Sequence, residues 1–283
     1  MQGIDEQTDR LLKAALAEDR GHKDITSSLI PESHESKADA IFREDGILCG
    51  LVVIERIFRL VDNQLRFLPV ANEGEFIKAT RAVFYVQGKT RSILTAERLA
   101  LNFLAYLSAI ATKTRAFVDE VKGTPAQIMD TRKTTPLWRG LERYAVRTGG
   151  GVNHRFGLFD GVLLKDNHLR AIPIRDIKDI VKNARARFTK NIGIGVEVMN
   201  LEELKLALDT ECQYILLDNF TPELVYEAVA LRTQKKKNIP LEVSGGIRLL
   251  NVRKYAECGV ERISVGALTH TIKSIDVSLN ILE

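Results

Sequence analysis

The stretch Ile194 to Asp218, IGVEVMNLEELKLALDTECQYILLD, decides the fold. Its first five residues form an apolar run broken only by Gly195 and Glu197. Its last five, Tyr214 to Asp218, stay apolar until the final carboxylate, and between the two runs Leu201 to Leu208 has helical spacing. Two such strands joined by a helix predict a βαβ unit whose strands are parallel and buried on both faces.

Working outward, the same unit repeats. Strands are expected near Gln127–Asp130, Val162–Lys165, Leu241–Ser244 and Arg262–Val265, with helices at Ile174–Phe188, Pro222–Gln234 and Leu249–Cys258. Pro222 suits a first helical turn. A strict strand-then-helix order is the signature of a parallel α/β sheet or barrel. The segment from Ala111 to about Thr269 is shorter than the roughly 250 residues of a complete eight-unit barrel, so an incomplete barrel is expected.

Earlier in the chain the pattern is mixed. A helix is expected from Ile4 to Ala17, stopped by Gly21, then a strand at Lys37–Arg43, a turn at Glu44–Gly46 and a helix at Leu51–Val61. Strands at Leu65–Val70 and Ala82–Gln87 follow. The helical pattern from Ile93 to Val121 is expected to break between Ser108 and Ala111, which sets a hinge. The resulting division is an N-terminal domain over 1–108 and a barrel over 109–270, with 271–283 free to pack back on the first.

Each apolar strand of the second half ends in polar or glycine residues: Asp130 to Lys133, Lys165-Asp166, Glu197, Asp218-Asn219, Ser244-Gly245-Gly246, and Gly266. In βα barrels these ends converge on one face and build a single site. Between the first two strands, Met129 to Leu169 also collects Arg132, Lys133, His154, Arg155, Lys165 and His168, and so many cations call for an anionic small molecule. Glu197 and Asp218 could hold Mg²⁺, accept from sugar hydroxyls, or merely cap the next helix. The glycines at 245–246 and 266 suit backbone capture of phosphate or plain turns. Gly149-Gly150-Gly151 fits neither a dinucleotide fingerprint nor a P-loop and reads as backbone freedom that aims His154 and Arg155. Lys165 could be a Schiff-base nucleophile or a point charge for phosphate.

Composition narrows the class. With 45% apolar and 28% charged residues the chain is an ordinary globular one, and its net charge of +4 is mild. Lys235-Lys236-Lys237 lies where a helix should end and lacks interleaved aromatics, so it suits the helix dipole better than nucleic acid. Three scattered cysteines without a CxxC spacing favour reduced thiols and a cytoplasmic location. The longest nearly apolar run, Leu99 to Ala111, is too short to span a membrane.

At its motifs the sequence resembles the quinolinate phosphoribosyltransferases. The resemblance is carried by Asp130 to Pro136 (DTRKTTP), Gly149 to Arg155 (GGGVNHR), Leu164 to His168 (LKDNH), Leu217 to Asn219, Ser244 to Ile247 and Ser264 to His270 (SVGALTH). It extends through Glu18-Asp19 to Ile25-Thr26 and Glu97-Arg98 to Ala111-Thr112, covering nearly the whole chain. It implies an N-terminal α/β sandwich domain plus an incomplete, seven-stranded-type α/β barrel, paired as a homodimer in which Arg98 reaches the neighbouring subunit's site. It implies transfer of phosphoribosyl from phosphoribosyl pyrophosphate to quinolinate, with loss of CO₂, in NAD biosynthesis. A paralogue acting on another ring is the alternative. Arg98, Arg132, His154 and Arg155 would then hold quinolinate, Thr131 would bind substrate beside them, and Lys133 and Lys165 would face the pyrophosphate. Glu197 and Asp218 would take ribose hydroxyls and Mg²⁺, and Ser244, Gly245, Gly246, Val265, Gly266, Ala267 and His270 the 5′-phosphate. The sequence departs from the family at Leu137-Trp138, where Gly commonly follows the proline, at Met199 and at Ala109.

Overall fold

The computed structural model describes residues 4–172, 176–188 and 191–282. The expected helix start at Ile174 lies outside the described residues. Helix α1 (Glu6–Arg20) begins at Asp5, whose carboxylate accepts the Thr8 N–H at 2.7 Å, and ends at Gly21. There follow β1 (Glu35–Phe42), β2 (Gly46–Ile47), α2 (Leu51–Val61), β3 (Arg66–Pro69), β4 (Phe76–Ile77), β5 (Ala82–Lys89) and the long helix α3 (Thr90–Glu120). Next come β6 (Gln127–Met129), α4 (Arg139–Thr148), β7 (Gly161–Leu164), α5 (Asp166–Ala171), α6 (Ile177–Arg187), β8 (Gly193–Val198) and α7 (Leu201–Ala207). The chain closes with β9 (Tyr214–Asp218), α8 (Pro222–Gln234), β10 (Leu241–Ser244), α9 (Val252–Glu257), β11 (Arg262–Ser264), α10 (Ala267–His270) and β12 (Val277–Leu282).

Contacts divide the chain into two units, 1–115 with 135–150 and 271–283, and 116–134 with 151–270. The first unit contains an antiparallel sheet ordered β12-β1-β5-β3 and a small β2-β4 pair. Its core is aromatic: Phe84 on β5 packs 4.7 Å from Phe67 and 5.9 Å, edge-on, from Phe58 of α2. The Glu73 carboxylate accepts the Gly50 and Leu51 amides at the α2 N-terminus, where glycine brings no side chain to cap it.

The expected break near Ser108 is absent, because α3 runs unbroken through it. Ser108 is fully buried, and its hydroxyl accepts from Cys49 N at 3.0 Å while facing Cys49 O at 3.2 Å. Thr112 likewise donates to Ser108 O and accepts from Ile47 N. These hydroxyls resemble stop signals in the sequence, yet they satisfy the strand beside the helix. By length and composition α3 could cross a membrane, but 67% of its apolar stretch is buried, as in a core helix.

The second unit holds a parallel sheet ordered β6-β11-β10-β9-β8-β7, six strands among the described residues. The first strand in the chain lies beside the last of the series, the adjacency that curls a sheet toward a barrel. Met129 also makes a parallel bridge to Val152 on the outer side of β6, where a seventh strand would lie. Register places Leu163, Gly195 and Tyr214 in one row on one face, and Glu197, Leu216 and Glu242 in another. Leu163, Tyr214 and Leu216 form a buried apolar cluster there.

Candidate active site

The site is built from the ends of the parallel strands. Immediately after β6, the fully buried Asp130 accepts the Asn153 side-chain amide and the His154 backbone N–H, each at 2.6 Å. Asp130 is thus what aims His154. The three glycines do less of this than their sequence suggests: Gly149 caps α4, and a Cβ on it would press within 2.7 Å of Thr114 Cβ on α3. The His154 ring lies edge-on to Tyr214, its Nε2 is 3.2 Å from a carboxylate oxygen of buried Glu242, and its Nδ1 faces the Arg155 N–H at 2.7 Å.

Arg155 donates to Gly161 O at 2.8 Å. Burial lowers its pKa, and the positive charge of nearby Arg132 lowers it further, against Tyr214, Asp160 and Glu197. The charge of Arg132 thus reaches Arg155, and two cations in one electrostatic neighbourhood suit an anion. Lys165 caps α5 and forms an ion pair with Glu197, whose side chain is 10% exposed. Glu197 also borders a cavity of about 660 Å³ lined in part by Asp166, Arg170 and Met199.

On the far side of β8, the Asp218 carboxylate accepts Ser244 Oγ at 2.9 Å and Asn219 Nδ2 at 2.8 Å. Asn219 adopts φ 57° and lies so near Gly245, itself at φ 92°, that a Cβ there would collide with the asparagine amide. Gly246, at φ 64°, faces open space. Lys133 Cδ and the His270 ring both lie against Gly266, and Thr269 Oγ1 donates to Lys133 O at 2.6 Å. Thr131 Oγ1 accepts the Lys133 N–H, and Val265 N donates to Met129 O beside them.

The structure thus pairs Lys165 with Glu197, Asp218 with Ser244, and Lys133 with Gly266 and His270, all in the second unit. Arg98 belongs to the first unit and is exposed on α3. Among the described residues no cluster of three or more His, Cys, Asp or Glu side chains could hold a metal. The sequence reading missed Asp130 as an anchor, and also Asn219, Tyr214 and Glu242. A carboxylate inside an apolar strand, as at Glu242, was the available signal.

The sequence description of the quinolinate phosphoribosyl transferase C-terminal domain matches residues 110–280, and that of the N-terminal domain matches 24–108. This chain belongs to the quinolinate phosphoribosyltransferase family. Among its relatives, a probable nicotinate-nucleotide pyrophosphorylase [carboxylating] of Methanocaldococcus jannaschii is 40% identical over 97% of both chains. The nicotinate-nucleotide pyrophosphorylase [carboxylating] of Mycobacterium leprae is 40% identical over 95% of both. The solved nicotinate-nucleotide pyrophosphorylase of Francisella tularensis is 38% identical and superposes with a TM-score of 0.91 over 98% of this chain and 96% of its own. The quinolinate phosphoribosyltransferase architecture, an N-terminal sheet domain and a C-terminal parallel α/β domain, is the one described above.

Proposed function

We propose that this chain transfers the phosphoribosyl group of phosphoribosyl pyrophosphate to the ring nitrogen of quinolinate and releases CO₂ and pyrophosphate, giving nicotinate mononucleotide. The observation that carries this reading is the gathering of Arg132, Lys133, Arg155, the Lys165–Glu197 ion pair and the late glycine turns in one unit, backed by the family. Quinolinate has two carboxylates, and paired guanidiniums match them by bidentate hydrogen bonding.

The residues act mainly through charge placement. Arg132, Arg155 and His154 orient the ring diacid so that its nitrogen faces the anomeric carbon. Lys133 and Lys165 draw charge from the departing pyrophosphate, Asp218 and Glu197 take ribose hydroxyls, and the turns at Gly245, Gly246 and Gly266, with His270, take the 5′-phosphate. The carboxylates of Glu197 and Asp218 suit Mg²⁺, which commonly uses one or two protein carboxylates and completes its shell with water and substrate phosphate. Mg²⁺ would supply charge neutralisation for the leaving group. Exposed Arg98 is offered to the site of a second copy in a homodimer. The three free cysteines, two of them buried, suit a cytoplasmic enzyme.

Incubating the purified chain with quinolinate, phosphoribosyl pyrophosphate and Mg²⁺ should yield nicotinate mononucleotide and pyrophosphate, and omitting Mg²⁺ should suppress both. Product from nicotinate at a rate equal to that from quinolinate would overturn the ring assignment.

A further inference from the structure

Glu242 is an anomaly for a strand residue. It is 0% exposed at the middle of β10, and one of its carboxylate oxygens, Oε2, has no hydrogen-bond partner. Burying an acid in this way costs stability unless something requires it. Its other oxygen, Oε1, accepts Ser264 Oγ at 2.6 Å and lies 3.2 Å from His154 Nε2.

The hydrogen positions on His154 follow from its two neighbours. Nδ1 receives the Arg155 N–H at 2.7 Å, and an imidazole nitrogen that accepts carries no hydrogen. Nε2 is therefore the nitrogen that carries the ring proton, and it lies 3.2 Å from Glu242 Oε1. Glu242, the His154 ring and the Arg155 backbone N–H lie in succession, with Glu242 Oε1 on the Nε2 side and the Arg155 N–H on Nδ1. Tyr214 closes the side of the imidazole with its ring 5.7 Å away, and Arg262 covers the tyrosine at 5.1 Å. The phenol of Tyr214 is pushed up by burial and by the charge of Glu242.

We propose that Glu242 is a positioning residue for ring-acid capture, which fixes the orientation of the His154 ring and through it the placement of Arg155. This rests on the proposed quinolinate activity. The logic resembles that of a buried carboxylate orienting an imidazole in other enzymes, where the acid itself never touches substrate.

Two substitutions test it in the full chain. Glu242→Leu removes the acceptor and leaves Ser264 Oγ and His154 Nε2 without it, which costs stability. Circular dichroism therefore first establishes that the variant is folded, and Glu242→Gln serves as the conservative control. The Leu variant should raise the KM for quinolinate roughly tenfold, the scale of one lost charge-assisted hydrogen bond. The KM for phosphoribosyl pyrophosphate should stay within about twofold and kcat should fall less than the quinolinate KM rises. Glu242→Gln keeps one acceptor oxygen and should restore most of the quinolinate KM. Imidazole ¹⁵N spectra should show the Nε2 resonance of His154 at similar positions in the parent and the Gln variant, and displaced in the Leu variant. An unchanged Nε2 resonance in the Leu variant overturns the proposal, as do KM values that rise together for both substrates. Should the parent chain not turn over quinolinate, the activity assignment fails, while the spectra still decide the role of Glu242 toward His154.

Discussion

Gly195 and Tyr214 share one place in the second unit: they are register partners on β8 and β9, and a Cβ on the glycine would lie inside the tyrosine ring, 2.6 Å from its Oη. The glycine exists because the ring needs its volume. Gly195→Ala should therefore destabilise the protein by about 1–3 kcal/mol, the usual cost of overpacking a filled interior. Denaturant unfolding of Gly195→Ala, Tyr214→Ala and the double variant checks this. The double variant should recover part of the loss, and strictly additive losses would contradict a shared site.

Leu137 occupies the left-handed region at φ 69°, and its side chain is 75% exposed. A leucine there carries backbone strain with little burial in return. The family commonly places glycine at this point, and the structure keeps the glycine-type conformation. What compensates is the next residue: Trp138 stacks on Phe103 at 4.7 Å and meets Tyr106 edge-on at 5.5 Å. Leu137→Gly should stabilise the chain by up to about 1 kcal/mol. Trp138 is the single tryptophan, so its fluorescence follows the unfolding of this stack directly. A lower denaturation midpoint in the variant would contradict the strain.

Tyr106 donates to the buried Glu142 carboxylate at 2.6 Å, and its pKa is pushed up to about 12, first by burial and then by that hydrogen bond. A phenol raised above its ordinary value near 10 stabilises the fold in its neutral form. That contribution is complete below pH 10 and disappears as pH rises through about 12. Phenolate absorbance should therefore show a late step near pH 12 that Tyr106→Phe removes. At neutral pH the Phe variant should lose about 1 kcal/mol, the net worth of one hydrogen bond.

The six parallel strands were legible because each is an apolar run with both faces covered, so the runs at Tyr214–Asp218 and Leu241–Ser244 match the observed strands to the residue. Helix α4 was not. Its sequence, RGLERYAVRT, looks like part of the cationic loop, and its buried Glu142 is tolerated only because Tyr106 and the Thr135 amide, distant or outside the helix, donate to it. Strand-end cations and glycines were legible at the site by their repetition. Asp130 and Glu242 were not, since an acid in a strand gives no sign of the loop backbone or imidazole it will hold.

Burial and the charge of Arg132 lower the Arg155 pKa, and removing that charge tests whether the two arginines share an anion. Arg132→Ala removes one bidentate donor and should raise the KM for quinolinate by about tenfold to a hundredfold, with the pyrophosphate substrate little affected. Steady-state kinetics with each substrate varied in turn measures this. An unchanged quinolinate KM would contradict the clamp.

Asp218 offers the complementary test on the sugar side. Its two carboxylate oxygens are held by Ser244 Oγ and Asn219 Nδ2, so the side chain is fixed before any ligand arrives. Asp218→Asn keeps the shape but removes the charge, and it places an amide donor opposite one of the existing donors. If Asp218 stabilises positive charge developing at the ribosyl centre, kcat should fall by about a hundredfold or more while the thermal midpoint stays near that of the parent. Loss of the fold instead would assign Asp218 to scaffolding. Circular dichroism of the variant alongside its single-turnover rate separates the two, because a preformed carboxylate that only props the Gly245 turn would lower stability before it lowered the rate.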